Sequence, residues 1–173
     1  KAKGQLNWAH IFLKASALDR AGDWAGAKAL LHEANRIDPG QAVVLNYLGY
    51  SMIEKKINLQ EALEMVKKAV ELKPNDGYIT DSLGWVEYRR GNVQQALQIL
   101  QKAYRARPDP EIAAHLGEAL VDLNRLEEAE PVLRGALAQI LRLSPRQVRV
   151  VAPVVGGGFG IKSMVYPEEA LVP

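Results

Sequence analysis

The sequence predicts an all-α protein, a right-handed solenoid of helix–turn–helix pairs followed by a short β-prone tail. Two kinds of repeated residue support this fold class. Prolines recur 35 and 34 residues apart, at Pro39, Pro74 and Pro108. Small residues recur in step with the prolines, in one glycine and two alanine series: Gly49, Gly84 and Gly117; Ala27, Ala62, Ala96 and Ala129; Ala34, Ala69, Ala103 and Ala136. A period near 34 residues with small residues at fixed offsets indicates stacked helix pairs.

The period divides residues 1–140 into four repeats. We place them at about 8–40, 41–75, 76–109 and 110–141. Each small residue is expected where two helices cross closely, and each proline is expected to stop the second helix of its pair. Between the helices of each pair, we expect Gly22, Gly91 and, at some cost, Asn124 to adopt the left-handed conformation that ends a helix.

The tail, residues 141–173, has a different character. The segment VRVVAPVV is short and rich in β-branched residues, which predicts a strand, and IKSMVYP is a candidate second strand. Between them lies a glycine-rich run that includes Gly157, Gly158, Phe159 and Gly160. The run fits neither a Walker-type phosphate loop nor a dinucleotide fingerprint, because Ile161 separates glycine from lysine and no helix start follows.

Composition excludes several function classes. The chain has 173 residues, a net charge of +2 and no cysteine, so disulfides, thiolate metal sites and cysteine nucleophiles are absent. Its lysines and arginines are spread along the chain, so we expect no nucleic-acid partner. No apolar run reaches the roughly 18 residues of a transmembrane segment.

The solenoid predicts a binding groove. First helices of stacked pairs line the concave face, and residues spaced three, four and seven apart share one side of a helix. The predicted groove residues are Asn46, Tyr47 and Tyr50 in the second repeat, Tyr78, Asp81, Trp85 and Tyr88 in the third, and His115 and Glu118 in the fourth. Of these, we expect Tyr50, Trp85 and Tyr88 to face the groove. Aromatics with a few polar groups favour an extended peptide or a partner helix. The alternative is that some of these aromatics only fill space between adjacent pairs.

Catalytic patterns are sparse in residues 1–140. The three histidines come from different helices without metal-site spacing, and no nucleophile has a base beside it. We therefore predict no enzyme activity, no metal and no cofactor. A protein or peptide partner is the expected ligand.

The segments NYLGYSMIEKKINLQEALEMVKKAVELKP and DSLGWVEYRRGNVQQALQILQKAYRARP resemble the tetratricopeptide repeat family over residues 8–140. The resemblance implies a non-catalytic interaction scaffold, although Glu87 replaces an aromatic residue usual in the family. Family members that clamp a chaperone's C-terminal carboxylate use cations and asparagines. The matching positions here supply no cation: Phe12, Ser16, Tyr47, Tyr78 and Ser82. A narrower resemblance to proteobacterial repeat proteins, some of them envelope lipoproteins, favours the bacterial periplasm or envelope over the cytoplasm.

The last 35 or so residues, reaching back to about Ala136, resemble the molybdopterin-binding subunit of the xanthine dehydrogenase and aldehyde oxidase family. The matching pieces are VRVVAP, GGGFGIK and YPEE. The resemblance implies Gly157, Gly158, Phe159 and Gly160 as the cofactor loop. The family's other loops and catalytic glutamate are not in this sequence, so we expect these four residues to be non-functional. The alternative function is a fragment of, or an assembly factor for, a molybdenum hydroxylase.

We interpret the two resemblances as the product of a fusion, with a native appendage as the alternative. A valine-rich, strand-prone segment is costly to leave in water. We expect the tail to dock on the last helix, to pair with a second molecule so that the protein self-associates, or to occupy a neighbour's groove; otherwise we expect it to be disordered.

Overall fold

A computed structural model describes residues 7–151 and 164–167, which contain eight α-helices in four consecutive pairs. The helices are α1 (Trp8–Arg20), α2 (Trp24–Ile37), α3 (Ala42–Glu54), α4 (Leu59–Leu72), α5 (Gly77–Arg89), α6 (Val93–Ala106), α7 (Pro110–Asp122) and α8 (Leu126–Leu141). Each helix packs on its pair partner, and each second helix packs on the first helix of the next pair. The all-α solenoid predicted from the sequence is confirmed. None of the described helices is long and apolar enough to cross a membrane.

The turn inside each pair is closed by the same backbone hydrogen bond. The donor N–H lies five residues after the acceptor carbonyl, and the N–O distance is 2.9 Å in all four pairs: Asp23 to Leu18, Ile57 to Met52, Asn92 to Glu87 and Arg125 to Leu120. The left-handed conformation expected at Gly22, Gly91 and Asn124 is present, with φ of 88°, 88° and 57°. In the second pair this position is Lys56, with φ of 55°.

Prolines end the second helices as predicted. The residue before each of Pro39, Pro74 and Pro108 has φ between −140° and −149°, as the following ring requires. The fourth pair has no such proline. Instead, α8 ends at Arg142 with φ of 56°, and the N–H of Leu143 donates to the carbonyl of Ala138 at 2.9 Å.

The two alanine series are buried between helices, with each member at most 8% exposed. The glycines mark the closest approach within a pair. A Cβ on Gly84 would lie 2.6 Å from Cγ of Leu100, and one on Gly117 would lie 2.3 Å from the Leu133 side chain. Gly49 meets Val66 in the same way at 2.6 Å. These distances are shorter than real carbon contacts, so the crossing requires glycine.

Glu87 occupies a buried position at which the family usually has an aromatic residue. Its side chain is 2% exposed. Its Oε2 accepts hydrogen bonds from Asn92 Nδ2 at 2.7 Å and from Arg90 Nη1 at 3.0 Å. The carboxylate therefore ties the end of α5 to the turn that follows, and these donors compensate for its burial.

The described part of the tail packs on the last helix. A 3₁₀ turn (Pro145–Gln147) leads into β1 (Val148–Val151), which pairs antiparallel with β2 (Met164–Pro167). β1 contacts α8, and Val148 is 6% exposed. The structure thus shows docking on the last helix among the expected arrangements. Pairing with a second molecule stays a prediction.

The glycine contacts predict opposite effects for two alanine substitutions. Gly84→Ala should destabilise the protein by about 1–3 kcal/mol, because the new methyl group overlaps Leu100. Gly135, in α8, has open space around its Cα, so Gly135→Ala should stabilise by about 0.4–1 kcal/mol. Urea unfolding followed by circular dichroism measures both changes. A Gly84→Ala protein as stable as the wild type would contradict the close crossing.

Candidate functional site

The first helices form the inner face of the array. α3 contacts α5, and α5 contacts α7, although each pair of helices is separated by a second helix in the chain. In a curved solenoid the helices that meet in this way lie on the concave side. All nine predicted groove residues lie on α3, α5 and α7. We call this surface, formed by α3, α5 and α7, the groove.

A hydrogen-bonded aspartate–histidine pair is buried beneath the surface of the groove. Nδ1 of His115 is 2.9 Å from Oδ2 and 3.0 Å from Oδ1 of Asp81. Both side chains are buried. Burial raises the pKa of Asp81, and the hydrogen bond with His115 offsets part of this rise. The pair therefore joins α5 to α7 from within.

Trp85 is the floor of the groove. Its ring stacks on His115, with centroids 4.0 Å apart, and on Tyr88, with centroids 4.9 Å apart. Its Nε1 donates to Oε1 of Glu54 at 2.8 Å. The side chain is only 4% exposed, so it supports the groove surface and a ligand would touch its neighbours first. Tyr50 and Tyr88 are half-buried and offer the exposed aromatic edges.

Five aromatic side chains on this face each donate to a distant carboxylate, which lies in another repeat for four of them and at the N-cap of α7 for Tyr78. The donor–acceptor pairs are Tyr47–Asp19, Tyr50–Glu111, Tyr78–Asp109, Trp85–Glu54 and Tyr88–Asp122. Burial, together with the neighbouring carboxylate, raises the pKa of Tyr50 and of Tyr88. The hydroxyls therefore stay protonated and keep donating over the physiological range. These hydrogen bonds fix the ring orientations across adjacent repeats.

Sequence reasoning missed all five carboxylates. A signal for four of them is the separation of donor and acceptor, which lies between 28 and 34 residues and so approximates one repeat. Aligning the repeats and seeking a carboxylate one period from each aromatic would have found them. Tyr50 has no such signal, because its acceptor Glu111 is 61 residues away, across the third repeat.

The remaining predicted residues lie at the edges. Tyr78, at the start of α5, is 40% exposed, and the Arg107 guanidinium lies 4.2 Å from its ring centroid. Asn46 is half-buried, and its Oδ1 has no hydrogen-bond partner among the described residues. Glu118 is exposed; partial desolvation raises its pKa, His115 and Arg89 offset part of the rise, and Asp122 and Glu54 add to it.

The positions that correspond to a chaperone clamp are used for internal packing. The hydroxyls of Ser16 and Ser82 donate to carbonyls of their own helices, at 3.0 and 3.1 Å. Phe12 packs edge-on against Tyr47, with centroids 5.4 Å apart. These positions carry no cation. That this protein does not clamp a chaperone's C-terminal carboxylate therefore stays our prediction.

A cluster of polar and charged side chains around Asp19 connects the first repeat to the groove. Asp19 receives hydrogen bonds from Tyr47 at 3.2 Å and from Ser51 at 3.0 Å, and it pairs with Lys55 at 2.8 Å. Partial burial opposes ionisation of Asp19, but these donors outweigh it and lower its pKa below the model-compound value of 3.8. The cluster thus links α1 to α3.

The glycine-rich loop of the tail, with Gly157, Gly158, Phe159 and Gly160, lies outside the described residues. Within the described residues, no group of three or more histidine, aspartate or glutamate side chains is placed to hold a metal ion.

These features define a class of protein, a helical-repeat protein with an aromatic and acidic concave face. A family model described as "Tetratricopeptide repeat" matches residues 82–146, within the helical array. The relatives and the solved structures below are similar to the same helical part of the chain. A second model, described as "Molybdopterin cofactor-binding domain", matches residues 129–173.

Two curated relatives match the helical part. A TPR repeat-containing protein of Pseudomonas aeruginosa is 35% identical over 108 residues, covering 62% of this chain. The human mitochondrial import receptor subunit TOM70 is 25% identical over 104 residues, covering 60% of this chain. The chain spans 18% and 17% of the lengths of these two relatives.

Two solved structures share the fold. MamA from AMB-1 superposes with a TM-score of 0.64 at 18% identity, covering 80% of this chain and 82% of MamA. A mutant of the Thermobaculum terrenum O-GlcNAc transferase superposes with a TM-score of 0.62 at 25% identity, covering 65% of this chain and 22% of the transferase.

The Asp19 cluster predicts a pH-dependent stability difference. Because the pKa of Asp19 is lowered in the folded state, its stabilisation is present above the unfolded value of 3.8 and is lost as the pH falls through the lowered value. Asp19→Asn should therefore cost about 1 kcal/mol near neutral pH and much less near pH ~2. Urea unfolding at both pH values measures the difference, with Glu71→Gln as the control for loss of one surface charge. An equal cost at both pH values would contradict the ionic role of Asp19.

Proposed function

We propose that this protein is a non-catalytic scaffold that binds a peptide or helix of a partner protein in its groove. The observation that carries this proposal is the chain of aromatic–carboxylate hydrogen bonds across α3, α5 and α7. It holds aromatic side chains in fixed orientations on a concave face, and rigid aromatics are the side chains that most often dominate binding energy at interfaces. Similarity to repeat proteins that include an import receptor subunit supports the same class of function.

The chemistry of the groove supports the non-catalytic part of the proposal. Asp81 and His115 have the arrangement of a base and its orienting group, but a nucleophile is needed beside them. The hydroxyls of Ser82 and Ser51 donate elsewhere, to the Tyr78 carbonyl and to Asp19. The Asp81–His115 pair is also buried beneath the groove surface, so we assign it a structural role.

The ligand is a protein rather than a nucleic acid. Glu54, Glu118 and Asp122 are exposed on the groove, where they repel phosphate groups. Self-association through the tail stays a second form of protein binding within this proposal.

The match to a molybdopterin-binding domain favours one other candidate function, part of a molybdenum hydroxylase or its assembly apparatus. The described residues of that match do not fit a cofactor cradle. The first residues of the match belong to α8, where Ala129, Ala136 and Ala138 are buried; β1 contacts α8, and Val148 is buried. A large anionic cofactor requires convergent polar groups, and these buried positions are apolar.

Metal analysis separates the two candidates. The protein purified from cells supplied with molybdate should contain molybdenum far below one atom per chain and show no cofactor absorption. Stoichiometric molybdenum together with a cofactor spectrum would overturn the scaffold proposal.

Groove binding is tested by comparing two matched double variants in a quantitative pull-down from a Pseudomonas aeruginosa lysate. Tyr88→Ala with Glu118→Ala alters the groove, whereas Tyr104→Ala with Glu71→Ala removes the same side chains from the second helices α6 and α4. Trp85 is left intact because it is buried, and its removal would create a cavity. Partners retained by wild type and control should be lost by the groove variant. Identical partner sets for the wild type and the groove variant would refute groove binding.

A further inference from the structure

The groove carries more negative than positive charge. Glu54, Glu111, Glu118 and Asp122 are all exposed on α3 and α7. Cations on the same helices are already engaged: Lys55 follows α3 and pairs with Asp19 at 2.8 Å, and the Arg89 guanidinium lies 5.3 Å from the Trp85 ring centroid. The groove therefore presents a negative field to any ligand that enters it.

The negative charge is concentrated where the first helices end. The hydrogen bond of Trp85 to Glu54 and that of Tyr88 to Asp122 join the C-terminal ends of α3, α5 and α7. Glu54 and Asp122 are the last residues of their helices, and Glu118 lies one turn before Asp122. Helix C-termini carry partial negative charge, which adds to the carboxylates. We call Glu54, Tyr88, Glu118 and Asp122 the C-terminal rim.

The carboxylates of the rim influence one another. Partial desolvation raises the pKa of Glu118; His115 and Arg89 offset part of this rise, and Asp122 and Glu54 add to it. Carboxylates that lie close together are stabilised when a cation comes between them. Tyr50 on α3 donates a hydrogen bond to Glu111 on α7, across the third repeat.

The cation that fits the rim is an organic one. The described residues contain no group of three acidic or imidazole side chains placed to hold a metal ion. Tyr88 instead offers an aromatic surface beside the carboxylates, and its ring stacks on Trp85 at 4.9 Å. Carboxylates next to an aromatic face suit the charged head and the apolar stem of lysine or arginine.

We propose that the partner segment bound in the groove is cationic, with a lysine or arginine side chain held by Glu54, Glu118 and Asp122 against Tyr88. This inference rests on the proposed groove binding and adds the charge of the partner to it. A long, flexible basic side chain can reach the rim from an extended peptide that lies along the concave face, where the peptide backbone passes over Trp85 and Tyr88.

The test is a selection from a random dodecapeptide library displayed on phage, with wild-type protein as the target. Enriched peptides should carry a higher net positive charge than the unselected library. The most enriched peptide is then labelled with fluorescein, and its affinity is measured by polarisation. Glu118→Gln with Asp122→Asn should weaken binding roughly ten-fold or more, and added salt should weaken it further. Glu64→Gln with Glu71→Gln, which removes the same number of charges from α4, should leave the affinity unchanged.

The possible results separate this inference from the proposed function. Enriched peptides that are neutral or acidic, and whose binding needs Tyr88, would overturn the charge assignment and leave groove binding intact. Enriched peptides that bind the Glu118→Gln, Asp122→Asn protein and the Tyr88→Ala protein as tightly as they bind the wild type would count against groove binding itself. A labelled peptide of residues 142–151 tests a second copy as the occupant. If that peptide binds tightly, if its binding is lost when the rim is altered, and if the chain self-associates, the proposal that the partner is a separate protein would be overturned. Melting curves of each variant confirm that it is folded.

Discussion

The close crossing of the two helices in each pair determines the rest of this structure. In three pairs a glycine on the first helix meets a branched apolar side chain on the second: Val66, Leu100 or Leu133. In the first pair Ala15 takes the equivalent place and is fully buried, as is Leu31. Because the pairs are tight, each second helix can also pack on the next first helix, and successive first helices then come into contact. The concave face is a consequence of this packing rather than an independent feature.

The groove uses that geometry directly. Neighbouring first helices are held side by side with their ends aligned, so an aromatic donor on one helix lies near a carboxylate on another. Trp85 with Glu54 and Tyr88 with Asp122 are two examples. A hydrogen bond between neutral groups contributes little net stability in water, but a hydrogen bond to a carboxylate contributes more. Each aromatic–carboxylate hydrogen bond also fixes the orientation of its ring. The groove can therefore be rigid while its carboxylates remain exposed at the surface.

The sequence predicts the fold well because packing constraints repeat with the period. The buried alanines, the left-handed Gly22 and Gly91, and the helix-ending prolines are each determined by local sterics, which a pattern can reveal. The groove is less predictable. Trp85 has the helical spacing of a surface aromatic, yet stacking on His115 and Tyr88 buries it. Glu111 could not be found from one sequence, since its partner Tyr50 reaches it across a whole repeat and the distance depends on the curvature of the array.

The helix α8 explains how two family models can overlap on one stretch of chain. Residues 129–146 lie in both matches, but a stretch of chain can adopt one conformation at a time. In the structure, Ala129 and Ala136 continue the alanine series of the first three repeats, so this stretch packs as the second helix of the fourth pair. The packing of the helical repeat therefore decides the local structure. Arg142, with its positive φ, ends the helix where the other pairs use proline, and β1 then contacts α8, with Val148 buried. The described strand of the segment that resembles a cofactor domain thus packs on the helical array at α8.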